Sequence, residues 1–563
     1  MGQILKIKAS GLHTFASEYS AVPEGSLKIA DDIVIDQEGL MSPRRGLTSM
    51  QGTFSGSTVR ANAIFEFQDK ILIHYDDKKI AFYDDTLSSP GWTDLKDIGL
   101  GTDFYAPDYN AYSNKDIPTV RSALSNGNFY FTTDKGVKKL ENFNSDIYDA
   151  GVVQATGMTL ALSASGVWFT EDQQVAYRGV WGYVDLNENL LLGAPSERAI
   201  ITNASGGSTS DVTVTVTIPT GITAQHIIQV YRSGLSGGEA VEPNDNLQLV
   251  YEANPSAAEI TAKSLTFTDK SADTLRGAEL YTSPAQEGIE NANSIPPLCR
   301  DMATYFNHMF YANVRRQHSK MVTLVSVDSA SGGLGEGDSL TIVIDEGGAS
   351  EETLTYTAKA SPSAATDFKL VTAGSVAANV ADTSRNLVHT INTHTGNQWV
   401  YAYYTSGPED LPGRIIFEKR DFLDTSLTFR AAYSGNGGGC PDDSHANEAA
   451  CTGAGHGWTH AYINPPDNKN TVANPSYYHI GFSPQLPYTK ESTDANCTQQ
   501  VESENYNYQH GLYFSKPNQP EAVPLLQVLF AGSKNSPITR IASLKDALFI
   551  FKEEGIFRLT GVD

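Results

Sequence analysis

"ASLKDALFIFKEEGIFRLTG", Ala542 to Gly561, reads as three short strands joined by two tight turns. Three other segments open the same way: "FEFQDKILI" from Phe65, "ALSNGNFYF" from Ala123 and "ATYFNHMFY" from Ala303. In each, a turn residue and one spacer precede three apolar or aromatic residues, and the turn position holds Asp69, Gly127, Asn307 or Asp546. Gly, Asn and Asp are residues that turns favour. The first two segments also run on into a further strand, through "HYDDKKIAFYDD" and "TTDKGVKKLEN". The unit is therefore strand, turn, strand, turn, strand, and repeated antiparallel units of this kind build a β-propeller or a large sandwich. Propeller blades recur about every 40–50 residues. The gaps from the second unit to the third and fourth are far longer, which implies inserted domains.

The insertions also read as β. "VAYRGVWGYVDLNENLLLGAPSERAII" from Val175, "DVTVTVTIP" from Asp211, "HIIQVYRSG" and "SLTFTDKSAD" are short strands at regular spacing, as in a small sandwich. "SLTIVID" from Ser339 and "ETLTYTA" from Glu352 flank a Gly-rich turn, and "VYAYYTSGPEDLPGRIIFEKR" from Val400 reads as a hairpin. The single long helix expected is "DTSRNLVHTINTH", capped by Asp382 or Thr383. The expected division is 1–167, an N-terminal hairpin and first propeller strands; 168–281, a sandwich; 282–319, propeller strands; 320–433, a second β-rich insertion; 434–506, a Gly/Asn-rich surface loop region; and 507–563, propeller strands. A last strand directly before Asp563 favours a natural chain that continues beyond it.

Composition narrows the function. The 563 residues are 40% apolar and 10% aromatic, as in globular chains of several domains. Forty basic against 65 acidic residues leave a net charge of −25, which argues against holding phosphates or an anionic membrane. The N-terminal "MGQILKIKASGLHTF" lacks a signal-peptide core, and Lys6 stands where a myristoylation signal needs Ser or Thr. No membrane anchor is expected.

Chemical motifs are sparse. Cys440, His445, Cys451, His456 and His460 form one Cys/His cluster, but ten residues separate the cysteines, a poor zinc spacing. A Cys440–Cys451 disulfide, zinc ligation and free thiols all stay open. "DLNENLLLG" from Asp185 begins like a calcium loop but lacks its Gly and its twelfth-position Glu, so a hairpin turn is expected. "GGLGEGDS" from Gly332 lacks the Lys-Ser/Thr ending of a phosphate loop. With no nucleophile elbow or His-Glu-x-x-His, the expectation is no enzyme, no catalytic residue, no metal and no cofactor.

"VPEGSLKIADDIVIDQEGLMSPRRGLTSM", Val22 to Met50, carries a family resemblance. An alternating strand, a turn near Glu38–Gly39 and a return strand ending at Arg44–Arg45–Gly46 resemble the opening of tail nozzle proteins (tail tubular protein B, or tail hub) of short-tailed bacteriophages. The resemblance covers about the first 85 residues and the last blade-like unit. It implies a structural virion protein with a β-propeller body and added β domains; separately, the order Tyr-Arg … Asp-x-Asn-x-Asn … Leu-Leu-Gly-x-Pro-Ser within 168–281 resembles a fibronectin type III-like module. It further implies a homohexameric ring below the portal and adaptor, contacts to tail fibres or other tail proteins, and DNA passing through without specific binding. Assembly would take place in the host cytoplasm. Arg44 and Arg45 then become assembly candidates, paired with carboxylates of the propeller or of a neighbouring subunit. The alternative is a receptor- or glycan-binding tail protein or adhesin. For that reading Trp92, Trp168, Trp181, Trp399 and Trp458 are stacking candidates, most of them expected in cores.

Overall fold

The computed structural model describes residues 60–87, 90–96, 103–107, 119–284, 291–324, 334–407, 412–423, 425–432 and 507–561, with a few short pieces besides, among them 33–37 and 40–43. Among the described residues strands take 46% and helices 7%, so the chain is mainly β, built from several antiparallel sheets.

In the N-terminal unit, Ile33–Gln37 pairs antiparallel with Leu40–Pro43, Ile33 opposite Pro43. The alternating run is thus one arm of a hairpin. Arg44 and Arg45 lie outside the described residues.

Each of the four repeat segments forms the first hairpin of a meander. The first sheet contains Ala61–Phe67, Lys70–Tyr75 and Lys79–Asp84. The second contains Ser122–Ser125, Asn128–Thr133, Gly136–Leu140 and Tyr148–Asp149. The third contains Leu298–Tyr305, His308–Arg315, Asn507–Phe514 and Val528–Phe530. The fourth contains Ile538–Leu544, Ala547–Lys552 and Gly555–Leu559. The turns explain the signature. Gln68–Asp69, Asn126–Gly127 and Phe306–Asn307 have positive φ at both positions, as a type I′ turn requires.

Neighbouring sheets share cores in chain order. Phe67, Leu72 and Ile80 of the first pack with Phe129, Phe131 and Leu140 of the second. Tyr130 and Val137 of the second pack with Met302, Met309 and Tyr311 of the third. Phe310 and Leu512 of the third pack with Ile541, Leu548 and Ile550 of the fourth. Alternation makes this possible: Tyr130 faces one neighbour while Phe129 and Phe131 face the other.

Between the second and third sheets lies a two-sheet sandwich. Met158–Leu162, Val212–Thr217 and Ser264–Asp269 form one sheet. In the other, Gln173–Val184 pairs with His226–Arg232 on one side and with Leu190–Leu192 and Ala199–Asn203 on the other; Gln248–Ala253 adds to His226–Arg232. Val212, Val214 and Val216 point into the common core with Tyr177, Trp181, Ile228 and Val230, while the intervening threonines face outward. A short helix, α1 (Ala257–Ala262), is held by a capping box of Ser256 and Glu259.

The second insertion interrupts the third sheet itself. The chain leaves after His308–Arg315 and returns at Asn507–Phe514, the strand that pairs with it. This is why the third repeat lacks a contiguous third strand in sequence. The insertion packs two sheets and one helix, α2 (Val376–Thr393), around one core containing Leu340, Tyr356, Phe368, Leu387, Ile391 and Phe417. The expected helix start is corrected. Ser375 is the N-cap, its side chain accepting from the Ala378 backbone N–H. Thr383 and Ser384 are not caps but buried positions in the helical stripe Val380, Leu387, Val388, Ile391. Two polar residues in that stripe masked its period.

Candidate functional site

The most heavily built polar site joins the second sheet, the sandwich and the third sheet. Gly136–Leu140 is buried along its whole length, so its two lysines enter the interior. Lys138 reaches Asp149 at 2.6 Å. Lys139 lies 3.3 Å from Glu141 and 3.1 Å from Glu521, and the three side chains are 2%, 0% and 3% exposed. Burial alone would drive the Lys139 ammonium down, but Glu521 and Glu141 outweigh it and hold the pKa above its ordinary value.

Each carboxylate recruits further elements. Glu521 lies in the loop that follows Asn507–Phe514. It accepts from the Tyr130 hydroxyl at 2.8 Å and from the Gly151 N–H. Gly151 has φ 89°, and a Cβ there would meet Pro296 at 2.9 Å, so the approach that delivers its N–H needs glycine. Glu141 accepts from the Leu186 N–H at 2.9 Å, at the tip of a sandwich hairpin.

That tip is the "DLNENLLLG" turn. Asp185 accepts from the N–H groups of Asn187 and Asn189 and from Asn128 Nδ2 of the second sheet at 2.8 Å. Asn187 donates in turn to Asn128 Oδ1 at 2.7 Å. The residues that mimic a calcium loop therefore form a hydrogen-bonded turn that docks the sandwich. Among the described residues, no group of three or more His, Cys, Asp or Glu side chains is placed to hold a metal.

His226 lies beside this site, its Nδ1 accepting from the Thr223 N–H at 3.1 Å. Burial, followed by the Lys139 charge, lowers its pKa to about 4. Between that value and the ordinary 6.5, the unfolded chain binds a proton that the native one refuses, so stability falls as pH drops through this window. The expected loss is about 2 kcal/mol at pH 5. His226→Gln should abolish that part of the acid sensitivity, read as amide hydrogen exchange in the sandwich at pH 7 and pH 5. An unchanged pH response in the variant would contradict the assignment.

The two insertions also meet directly. His389 of α2 donates to Glu197 of the sandwich at 2.8 Å, and Asn392 donates to the same carboxylate at 3.1 Å. Burial opposes the charged ring, but the Glu197 hydrogen bond and charge raise the His389 pKa above 6.5. The pair is therefore complete below pH 6.5 and weakens as pH rises through the folded value. With His389 41% exposed, it contributes about 0–1 kcal/mol.

A cleft of about 720 Å³ adjoins the same junction. One wall is the strand pair Val400–Tyr404 and Arg414–Lys419, in which Tyr401 lies opposite Glu418 and Tyr403 opposite Ile416. These four residues share one face and line the cleft; Val400, Ala402, Ile415 and Phe417 share the other and enter the core. Facing walls come from the second sheet (Asp149), the sandwich (Pro219) and the segment next to the third sheet (Arg316 and Gln317).

Of the sequence candidates, Arg44, Arg45, Cys440 and Cys451 lie outside the described residues, as do His445, His456, His460 and Trp458. Cys299 is a buried free thiol in the core between the second and third sheets. Trp168 and Trp181 are core residues. Trp92 is half-buried in the N-terminal unit, stacked on Phe54. Trp399 is half-buried and lines the cleft. The ionic junction has one trace in sequence, the charged pair Lys138–Lys139 inside a strand; its partner Glu521 lies too far along the chain to be associated with it. No protein-family model matches this chain, and no curated protein matches it in sequence.

Proposed function

We propose that the chain is a structural virion protein of a short-tailed bacteriophage, a nozzle subunit that assembles as a homohexameric ring and forms the lower channel for DNA ejection. One observation carries the reading. Four successive antiparallel meanders pack each on the next, with β modules inserted after the second and within the third. This is how the blades of a propeller stack, and inserted modules are what the resemblance of the N-terminal stretch leads one to expect. The sandwich supports a fibronectin type III-like module, with a long central strand paired on both sides and a three-strand sheet across the core.

Charge is consistent with a DNA channel. A net −25 per chain, repeated around a ring, repels phosphates wherever acidic groups face the lumen, so duplex slides without sticking. The competing class, a glycan-gripping tail protein or adhesin, draws on the aromatic cleft. Electron microscopy of the purified protein separates the two. The expected image is a six-fold ring with a central pore; a monomer or a trimeric spike would overturn the proposal. Arg44→Ala/Arg45→Ala should reduce the yield of rings, and rings at parental yield would remove the clamp role from those arginines while leaving the nozzle reading intact.

A further inference from the structure

We infer that the cleft beside the junction is a saccharide-binding site for a short, uncharged oligosaccharide. The alternation described above leaves Tyr401, Tyr403 and Glu418 on a sheet face that no hydrophobic core covers among the described residues, and Trp399 and Arg420 extend the same wall. Such a wall suits a ligand with apolar C–H faces and many hydroxyls, because Tyr and Trp offer an apolar ring and a polar tip together. The volume of about 720 Å³ falls within the range of small-ligand sites, about 300–1,000 Å³.

The polar groups are held in place. Tyr401 and Tyr403 donate their hydroxyls to Gln154 O and Oε1, at 3.1 and 2.7 Å. Arg420 lies over the Tyr401 ring at 4.6 Å and donates to Val400 O. Burial raises the Glu418 carboxyl above the usual carboxylate range, against the opposing charge of Arg316. Charges at the rim are matched locally: Asp149 by Lys138 at 2.6 Å and Asp421 by Lys419 at 3.2 Å. With those pairs closed, Glu418 stands against Arg316 and Arg420 in the lining, a near-balance that gives an acidic ligand little advantage over a neutral one. Hydrogen-bonding capacity is nevertheless left over. Among the described residues, Arg316 Nη1, Gln317 Oε1 and Arg420 Nε have no hydrogen-bond partner, although Arg316 and Gln317 are more than nine-tenths buried. Unpaired buried donors and acceptors are rare in folded proteins. Ligand hydroxyls would satisfy them after small side-chain rotations.

The test uses the full chain and three probes: maltotriose, chitotriose and the acidic sialyllactose. Binding is read by saturation-transfer NMR and by tryptophan fluorescence. At least one neutral trisaccharide should bind with Kd below about 10 mM. Trp399→Ala and Arg420→Ala should each weaken it about tenfold or more. Trp399→Phe, which keeps an aromatic face, should retain most of the affinity and guards against misfolding of the alanine variants. Overturning results are no binding of either neutral probe at about 10 mM, binding of sialyllactose alone, or binding that neither alanine variant weakens. Ring formation in the micrographs does not depend on this outcome, so the site and the nozzle reading fail separately.

Discussion

Lys139→Met should destabilise the junction by roughly 3–5 kcal/mol, because it strands two carboxylates in the interior without their cation. Glu141 and Glu521 are 0% and 3% exposed, and water cannot replace the ammonium. A chain of several modules does not unfold in one step. The measurement is therefore local: hydrogen exchange of the Leu186 and Gly151 amides, which donate to those carboxylates. Both should exchange faster by two orders of magnitude or more, at about 1.4 kcal/mol per factor of ten. Removing all three charges together, Lys139→Met with Glu141→Gln and Glu521→Gln, should restore a large part of the loss, since a neutral buried cluster has no stranded ion. A Lys139→Met protein with parental exchange at both amides would show that the triad does not hold the modules.

The second large effect belongs to the sandwich alone. Arg232 and Asp269 are both fully buried and bonded at 2.6 Å, and Tyr177 donates to the same carboxylate oxygen at 2.8 Å. Arg232 also stacks on Trp168 at 3.6 Å. Asp269→Ala takes its nearer carboxylate from an interior guanidinium, which keeps Asp273 at 3.8 Å, and leaves a hydroxyl without an acceptor, at an expected loss of roughly 3 kcal/mol. Asp269→Asn, which keeps an acceptor for Tyr177, should lose less. The sandwich should then melt as a separate, earlier transition in calorimetry, while the packed meanders unfold where they did before. A single transition at the parental temperature would contradict this.

The hairpins of the meanders were legible because their information is local. Asp69, Gly127 and Asn307 occupy turn positions whose backbone only a few residues tolerate, and the apolar triplets follow at fixed distance. The strand alternation of "DVTVTVTIP" was legible for the same reason, each valine being buried by the period of the strand. The helix was misplaced where buried Thr383 and Ser384 interrupt its apolar stripe. The junction was not legible at all. Lys139 and Glu521 are joined only because an entire module folds between two paired strands, and no spacing rule spans that distance. The cleft was hidden likewise: "VYAYY" reads as one arm of a hairpin, and only the register shows which of its faces meets a hydrophobic core among the described residues.

The split third sheet imposes an order in time on synthesis. Arg315 pairs with Asn507, so a strand already made waits while roughly 190 residues emerge, about 10–40 s at ribosomal rates of 5–20 residues per second. During that wait the first and second sheets and the sandwich have all the chain they need, whereas His308–Arg315 presents an apolar edge with no neighbour on one side. If the insertion folds first, it brings its two ends together and shortens the loop that must close. The module set into the third sheet then acts as a folding staple, and the sheet that carries it is the last of the first three to become whole.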